Sequence, residues 1–469
     1  MQNRFTAFQE RMEQEGLSPL AIRTFSSYFD QVVHGGTGLV PSSTLNPVED
    51  LPTFESLTSF TRAGQEALSS LVVMKLNGGL GTSMGLDKAK SLLPAKKGQT
   101  FLDIICGQIL DARKRFQADT PLVFMNSFRT QDDTLAALER YSEIGQTRAE
   151  LPLSFLQGRV PKIEKETLSP FCWDANRELE WCPPGHGDIY TSLLESGYLE
   201  KALDAGYLYA FISNSDNLGA TLDPAILGYL VSENIPFLME VAERTAADRK
   251  GGHLARDSRG RLLLRELAQC PAEDEEDFQD YKKYTYFNTN SLWIHLPSLK
   301  SLLDERDGIL GLPLIRNEKP GDPRDESSPR VYQLETAMGT AISSFAHSQA
   351  LLVPRSRFLP VKTTDDLLEL WSDRFELDEH YCLQKTSRCT TPSCVIHLDS
   401  QYYRKVDDFD ERFSQGIPSL VDCEELRIEG DIAFHAPVSF CGSVTLKNTE
   451  SSQQIVSSKE DLNNFVASS

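Results

Sequence analysis

A chain of 469 residues with 47 Lys and Arg against 68 Asp and Glu carries a formal charge of −21. That charge repels polyphosphate backbones and anionic lipid at long range, so no nucleic acid and no membrane surface is expected among its partners. With 40% apolar, 25% charged and 9% aromatic residues, there is apolar surface enough to exclude disorder along the whole chain, and the length points to about three domains.

Residues 1–65 read as an N-terminal helical segment. Its start, MQNRFTAFQERMEQEGLSPL, is polar and amphipathic, unlike a signal peptide. No apolar run approaches the roughly 18 residues that span a bilayer. From Leu71 the pattern changes: the short apolar runs 71–76, 121–126, 207–213 and 236–242 alternate with longer helix-like stretches. This alternation predicts an α/β domain over 66–375, a mixed, mainly parallel sheet covered by helices on both faces. Each run ends in polar or glycine residues, and in such sheets ligands sit beyond the carboxyl ends of the strands. Two charged stretches, 272–280 (AEDEEDFQD) and 317–330 (NEKPGDPRDESSPR), read as solvated loops.

Residues 376–469 form a third unit with a polar tail. Leu426, Ile428, Ile432, Phe434, Val438, Phe440, Val444 and Leu446 keep a period of two, broken by Gly430, Pro437 and Gly442. The pattern fits a β-sandwich or a β-solenoid coil. Nine scattered cysteines contain no C-x-x-C pair, and Cys382, Cys389 and Cys394 fit no common zinc template. They read as reduced, buried thiols of a cytoplasmic protein.

The segment LVVMKLNGGLGTSMGLDKAKSLLP, 71–94, joins an apolar strand to Asn77, Gly78, Gly79, Gly81 and Gly85, with Lys88 and Lys90 beyond. Glycines let backbone N–H groups approach an anion closely. A Walker A loop needs Lys-Ser or Lys-Thr after a glycine, which is missing. The dinucleotide fingerprint fails where Met84 replaces the third glycine. A tight structural turn competes, but the two lysines favour phosphate binding. Asp216 follows the run 207–213, where a carboxylate can hold Mg²⁺ on phosphate oxygens or simply cap a turn.

KLNGGLGTSMG resembles the nucleotide loop of the eukaryotic-type UTP–glucose-1-phosphate uridylyltransferase family. QTFLD (99–103), PLVFMNSF (121–128), PPGHGDIY (183–190), SNSDNLGAT (213–221), FNTNSLW (287–293), QLETAMG (333–339) and PRSRFLPVKTTDDLL (354–368) are similar to family blocks in the family's order. The resemblance implies a Rossmann-like, GT-A-like nucleotidyltransferase domain followed by a left-handed β-helix. It implies attack of glucose 1-phosphate on the α-phosphorus of UTP, giving UDP-glucose and pyrophosphate with Mg²⁺ as cofactor. Such a reaction needs alignment and charge neutralisation more than covalent chemistry. Leu76, Asn77, Gly78 and Gly79 would offer backbone amides to the nucleotide, Gln157 would read the uracil, and Gly185, Asn214 and Ser215 would line the nucleotide. Lys90 and Lys362 would meet the phosphates as catalytic cations, with Asp216 on the metal. His186, Glu240, Glu266, Asn288 and Asn290, with Gly78 and Gly79, would face the sugar. Phosphate attacks as an anion, so His186 is expected to donate a hydrogen bond, not to act as a base. Lys88 reads as a solvated lysine and Lys250 as a weaker candidate. The polar end of the chain leaves either a monomer or a homo-oligomer through the C-terminal domain.

Three other readings stay open. A pyrophosphorylase for N-acetylhexosamine 1-phosphate usually carries an arginine where this chain has Ser83-Met84. A non-catalytic nucleotide-sugar-binding protein has no need of Lys90, Asp216 and Lys362 together. A sugar kinase lacks its motifs here.

Overall fold

The computed structural model describes residues 2–435 and 437–457, and the polar tail from 458 lies outside them. Nine strands make the central sheet: β1 (Leu71–Asn77), β2 (Leu122–Asn126), β3 (Ser154–Leu156), β4 (Tyr209–Asn214), β5 (Phe237–Glu243), β6 (His253–Arg256), β7 (Leu262–Arg265), β8 (Tyr286–His295) and β9 (Gln349–Leu352). The path runs β7-β6-β8-β4-β1-β2-β3, and β5 joins β8 to β9. β1 lies parallel to β2 and β4, β2 to β3, and β5 to β9, whereas β8 opposes β4, β5 and β6. Only β7 and β8 run against the other seven strands, so the sheet is mixed and mainly parallel, as its unbroken apolar runs predict. All seven residues of β1 are buried, as a strand covered on both faces requires.

Helix α1 (Gln2–Gln14) and helix α2 (Pro19–Val33) bury Phe8, Phe25 and Phe29 against Val160, Ile163, Leu314 and Leu334 of the α/β region. The chain beyond them stays tied to the sheet: Asn46 pairs with Arg256, and Thr53 with Leu352. On the next layer helix α3 (Phe101–Phe116) starts at Thr100 with a capping box closed by Asp103.

The two charged stretches are not plain loops. Residues 317–330 lie within a β-hairpin, Ile315–Asp322 with Asp325–Glu335, whose backbone ladder outweighs the prolines and charges on it. In the acidic stretch Phe278 is fully buried, and Asp274 pairs with the buried Arg265. One apolar residue in a run of acid was enough to anchor it.

Helix α4 (Thr364–Trp371) leads to the C-terminal strands β10 (Val395–Leu398), β11 (Ser419–Glu429), β12 (Ile432–Phe434), β13 (Ser439–Lys447) and β14 (Gln454–Val456). β11 runs parallel to β10 and β13, and β12 to β14. Each turn of chain therefore lays its strands on the previous turn, which selects the solenoid coil over the antiparallel sandwich. Leu426, Ile428, Ile432, Phe434, Val438, Phe440 and Leu446 are buried, and Val444 packs against them. The nine cysteines are free, no His/Cys/Asp/Glu cluster of three could hold a metal, and no helix is long and apolar enough to cross a membrane, all among the described residues.

Candidate active site

The carboxyl ends of β1, β2 and β4 meet where the sequence pattern predicted a ligand edge. Asn77 is their staple: its Nδ2 donates to Asn126 Oδ1 (2.8 Å) and Thr134 Oγ1 (2.9 Å), while its Oδ1 accepts from Ser215 Oγ (3.0 Å). With both Asn77 Nδ2 hydrogens and the Ser215 hydroxyl hydrogen committed in this way, neither side chain has a donor left for a ligand. Beyond the staple, Gly81 and Gly85 take the left-handed conformation on either side of a short helical turn. At Gly78 a Cβ would come within 2.4 Å of Gln157 Oε1, so the missing side chain is what lets this amide lie flat on the loop. Leu76 and Gly79 complete the loop entrance, Leu76 accepting from Ser215 N (3.0 Å) and Gly79 from Lys90 N (3.2 Å).

Lys90 and Lys362, 272 positions apart, converge on one oxygen. Their Nζ atoms donate to Asp216 Oδ2 at 2.9 and 2.7 Å, and Lys90 also donates to the carbonyl of Val361. Burial pushes the Asp216 carboxyl up, but the charges of Lys362 and Lys90 win and hold it below the usual carboxylate range. Asp216 Oδ1 is buried and unpartnered. Lys88 and Lys250 are exposed on their turns, matching the solvated reading for Lys88 and giving no support to Lys250.

The loop 183–188 locks onto 333–339. Thr336 N donates to Pro184 O and Gly187 N to Thr336 O, both at 2.9 Å, and Gly185 adopts a φ of +79° where a Cβ would strike Thr336 O. His186 Nδ1 accepts from Met338 N (3.0 Å), which leaves the ring proton on Nε2 as a donor. Burial first, and then the Lys362 charge, push this imidazole down to about 4. The ring is therefore neutral at physiological pH, with its Nε2–H as the available donor.

On the opposite flank the register of β5 and β8 shifts between Glu240 and Val241, which pair with Ser291 and Asn288. The bulge throws Thr289 and Asn290 out of the ladder, with Asn290 at φ +58°. Two-residue alternation therefore does not relate Asn288 to Asn290. Asn288 Oδ1 accepts from Asn290 N (2.9 Å), and Asn290 Nδ2 donates to Asn214 Oδ1 (2.8 Å). Asn290 Oδ1 is buried without a partner.

Glu240 corrects the sugar-facing expectation. It is wholly buried inside β5, its two oxygens accept from Arg357 Nε (2.8 Å) and Nη2 (2.7 Å), and Oε1 also accepts from Trp293 Nε1 (2.8 Å). Wholly buried and bound by three donors, this carboxylate is not open to a sugar hydroxyl.

Glu266 differs. Its carboxylate lies where a Cβ on Gly252 would approach Oε2 to 2.5 Å, and Gly252 O accepts from Asn288 N (3.1 Å). Burial pushes this carboxyl up to about 7. A carboxyl raised in the folded state stabilises it below the unfolded value near 4.5 and loses that contribution as pH rises through about 7. The loss is on the order of 3 kcal/mol, at about 1.4 kcal/mol per unit. Glu266→Gln is expected to flatten this part of the stability-against-pH curve, read by urea denaturation at pH 5, 7 and 9; curves of equal slope count against it.

The sequence reading missed three contributors. Asn217 and Asp366 hold the Lys362 segment, and Lys405, from the C-terminal region, lays its stem over Gly85, with Cγ 3.1 Å from the Cβ position. The SNSDN block directed attention to Asp216, and nothing local in the sequence joins residue 405 to residue 85.

A glycine loop and two distant lysines gathered on one strand-end carboxylate, over a mainly parallel sheet, define a nucleotidyltransferase class of site. The sequence profile described as UTP–glucose-1-phosphate uridylyltransferase matches residues 22–440. The chain belongs to that family. It is 40% identical over 410 residues to the Hordeum vulgare UTP–glucose-1-phosphate uridylyltransferase, covering 87% of this chain and 82% of that protein. With the Saccharomyces cerevisiae one it shares 40% over 380 residues, 81% of this chain and 74% of that protein. A solved mutant UDP-glucose pyrophosphorylase from Leishmania major, in complex with UDP-glucose, superposes with a TM-score of 0.90 at 43% identity, covering 97% of this chain and 96% of that one.

Proposed function

We propose that this protein transfers the uridylyl group of UTP to glucose 1-phosphate by in-line attack, with Lys90, Lys362 and Asp216 gathering the phosphates. An oxygen of the sugar phosphate forms the new bond to the α-phosphorus. The α–β bridging bond breaks with its electron pair leaving on pyrophosphate, and UDP-glucose remains. No proton has to move, which agrees with a neutral His186 whose Nε2–H only donates. The single observation that carries the reading is the meeting of Lys90 and Lys362 on Asp216 beside the glycine loop. Two cations there oppose the charge that builds up as donor and acceptor phosphates crowd together.

The unpartnered, buried Oδ1 of Asp216 suits a hard cation, and since no cluster of three His, Cys, Asp or Glu exists among the described residues, phosphate oxygens and water would supply other ligands. Mg²⁺ held there would neutralise charge on the triphosphate. The flat amide of Gln157 suits the uracil edge, and Glu266, Asn288 and Asn290 suit the sugar hydroxyls. The C-terminal solenoid coil is read as a short left-handed β-helix, and either a monomer or a homo-oligomer through it fits the reading. Nine free thiols suit a cytoplasmic setting.

The test is pyrophosphate release from UTP and glucose 1-phosphate with Mg²⁺, beside galactose 1-phosphate and N-acetylglucosamine 1-phosphate, with and without EDTA. Release with glucose 1-phosphate that EDTA abolishes is expected. Release that EDTA leaves intact would overturn the metal assignment, and release with only another sugar would overturn the sugar assignment.

A further inference from the structure

We infer that Asn217 is a positioning residue for the transfer step, fixing Lys362 against Asp216. The inference rests on the proposed role of Lys362 and goes beyond it. Lys362 sits on an irregular segment, and its place relative to Asp216 must be set by something stiffer than its own side chain, more than half of which is exposed.

The Asn217 amide supplies that restraint. It is 1% exposed. Its Oδ1 accepts from Leu359 N (2.9 Å) and from Gly219 N (3.2 Å), while its Nδ2 donates to Arg357 O (3.2 Å). One side chain thus closes its own loop and grips the segment that precedes Lys362 at two points, Arg357 and Leu359. The backbones are in register as well: Asn217 pairs with Pro360, and Val361 N donates to Asp216 O (3.1 Å). Pro360 has no N–H to add to a ladder, so a side chain takes over the bonding that a strand neighbour would give. Beneath, a Cβ on Gly219 would lie 2.5 Å from Ser356 O, which shows how closely the two loops are pressed. At the far end Asp366 Oδ2 accepts from Lys362 N (2.7 Å) and Thr363 N (2.8 Å) at the start of α4. The lysine backbone is therefore held from both sides.

Only an amide meets the demand at residue 217, since the site needs two acceptances and one donation from the same planar group. Alanine removes all three bonds. Aspartate keeps both acceptances but sets an oxygen against the Arg357 carbonyl. Misplacing a reacting group by about 1 Å can cost on the order of 100-fold in rate.

The test compares Asn217→Ala, Asn217→Asp, Lys362→Ala and the Asn217→Ala/Lys362→Ala double variant in steady-state pyrophosphate release. Asn217→Ala is expected to lower kcat about 10- to 100-fold while KM for UTP and glucose 1-phosphate stays within about threefold. The double variant is expected to match Lys362→Ala alone, because Asn217 acts through that lysine. Losses that multiply, or an unchanged kcat, would overturn the inference. Should the alanine variant not fold, Asn217→Asp with and without Lys362→Ala gives the same reading from a smaller loss. A normal kcat in Lys362→Ala overturns the role of Lys362 and this inference together. A crippled Lys362→Ala beside a fully active Asn217→Ala overturns this inference alone.

Discussion

Lys362→Ala is expected to lower kcat about 100- to 1,000-fold, the loss that follows removal of one preorganised charge donor. The change should leave the fold nearly untouched. The Lys362 side chain is 55% exposed and Asp216 keeps Lys90, so the stability change is expected to stay below about 1 kcal/mol. Pyrophosphate release at saturating substrate, beside a urea curve, separates the two quantities. An unchanged kcat sinks the assignment; a large fall in stability makes the lysine a structural group.

Glu240→Ala is expected to do the opposite, costing about 3–5 kcal/mol of stability because it strands a buried guanidinium. Arg357 would keep its bond to Thr221 O but lose both carboxylate contacts. Nearby Lys75 is also fully buried, its Nζ held by Ser213 Oγ (2.8 Å) and Ala220 O (2.9 Å). Burial and the Arg357 charge push that ammonium down to about 7, with Glu240 the opposing influence. Without Glu240 the Arg357 guanidinium loses its main counter-charge, and the Lys75 ammonium is pushed down further. Urea denaturation reads the loss, and in the protein that remains folded KM for glucose 1-phosphate should not move. A normal urea midpoint with a raised KM would restore Glu240 to the sugar pocket.

These two residues also mark how far the sequence could be read. Lys362 was visible because it stands in a motif, and the apolar runs placed the strands, so the edge bearing Gly78, Asp216 and Lys90 followed from periodicity. Glu240 went wrong because an acidic residue in PFLMEVA looks like a strand end, whereas it lies mid-strand opposite an arginine from a loop 117 positions away. The different settings of Asn288 and Asn290 could not be read either, because the bulge that separates them depends on the register between β5 and β8. Asn217 stayed hidden because its work is done with residues 357 and 359. Local patterns reveal elements and loops, while the ion pairs and side-chain clamps that join distant segments appear only once the chain has folded.

The seating of α1 and α2 has a consequence for synthesis. Their Phe8, Phe25 and Phe29 face rests on Leu314 and Leu334, residues that leave the ribosome roughly 300 positions later. At about 5–20 residues per second, Val160 and Ile163 arrive on the order of 7–30 s after the helices to cover part of that flank, and Leu314 and Leu334 complete the cover on the order of 15–60 s after them. These two helices therefore reach their full packing only late in the synthesis of the chain.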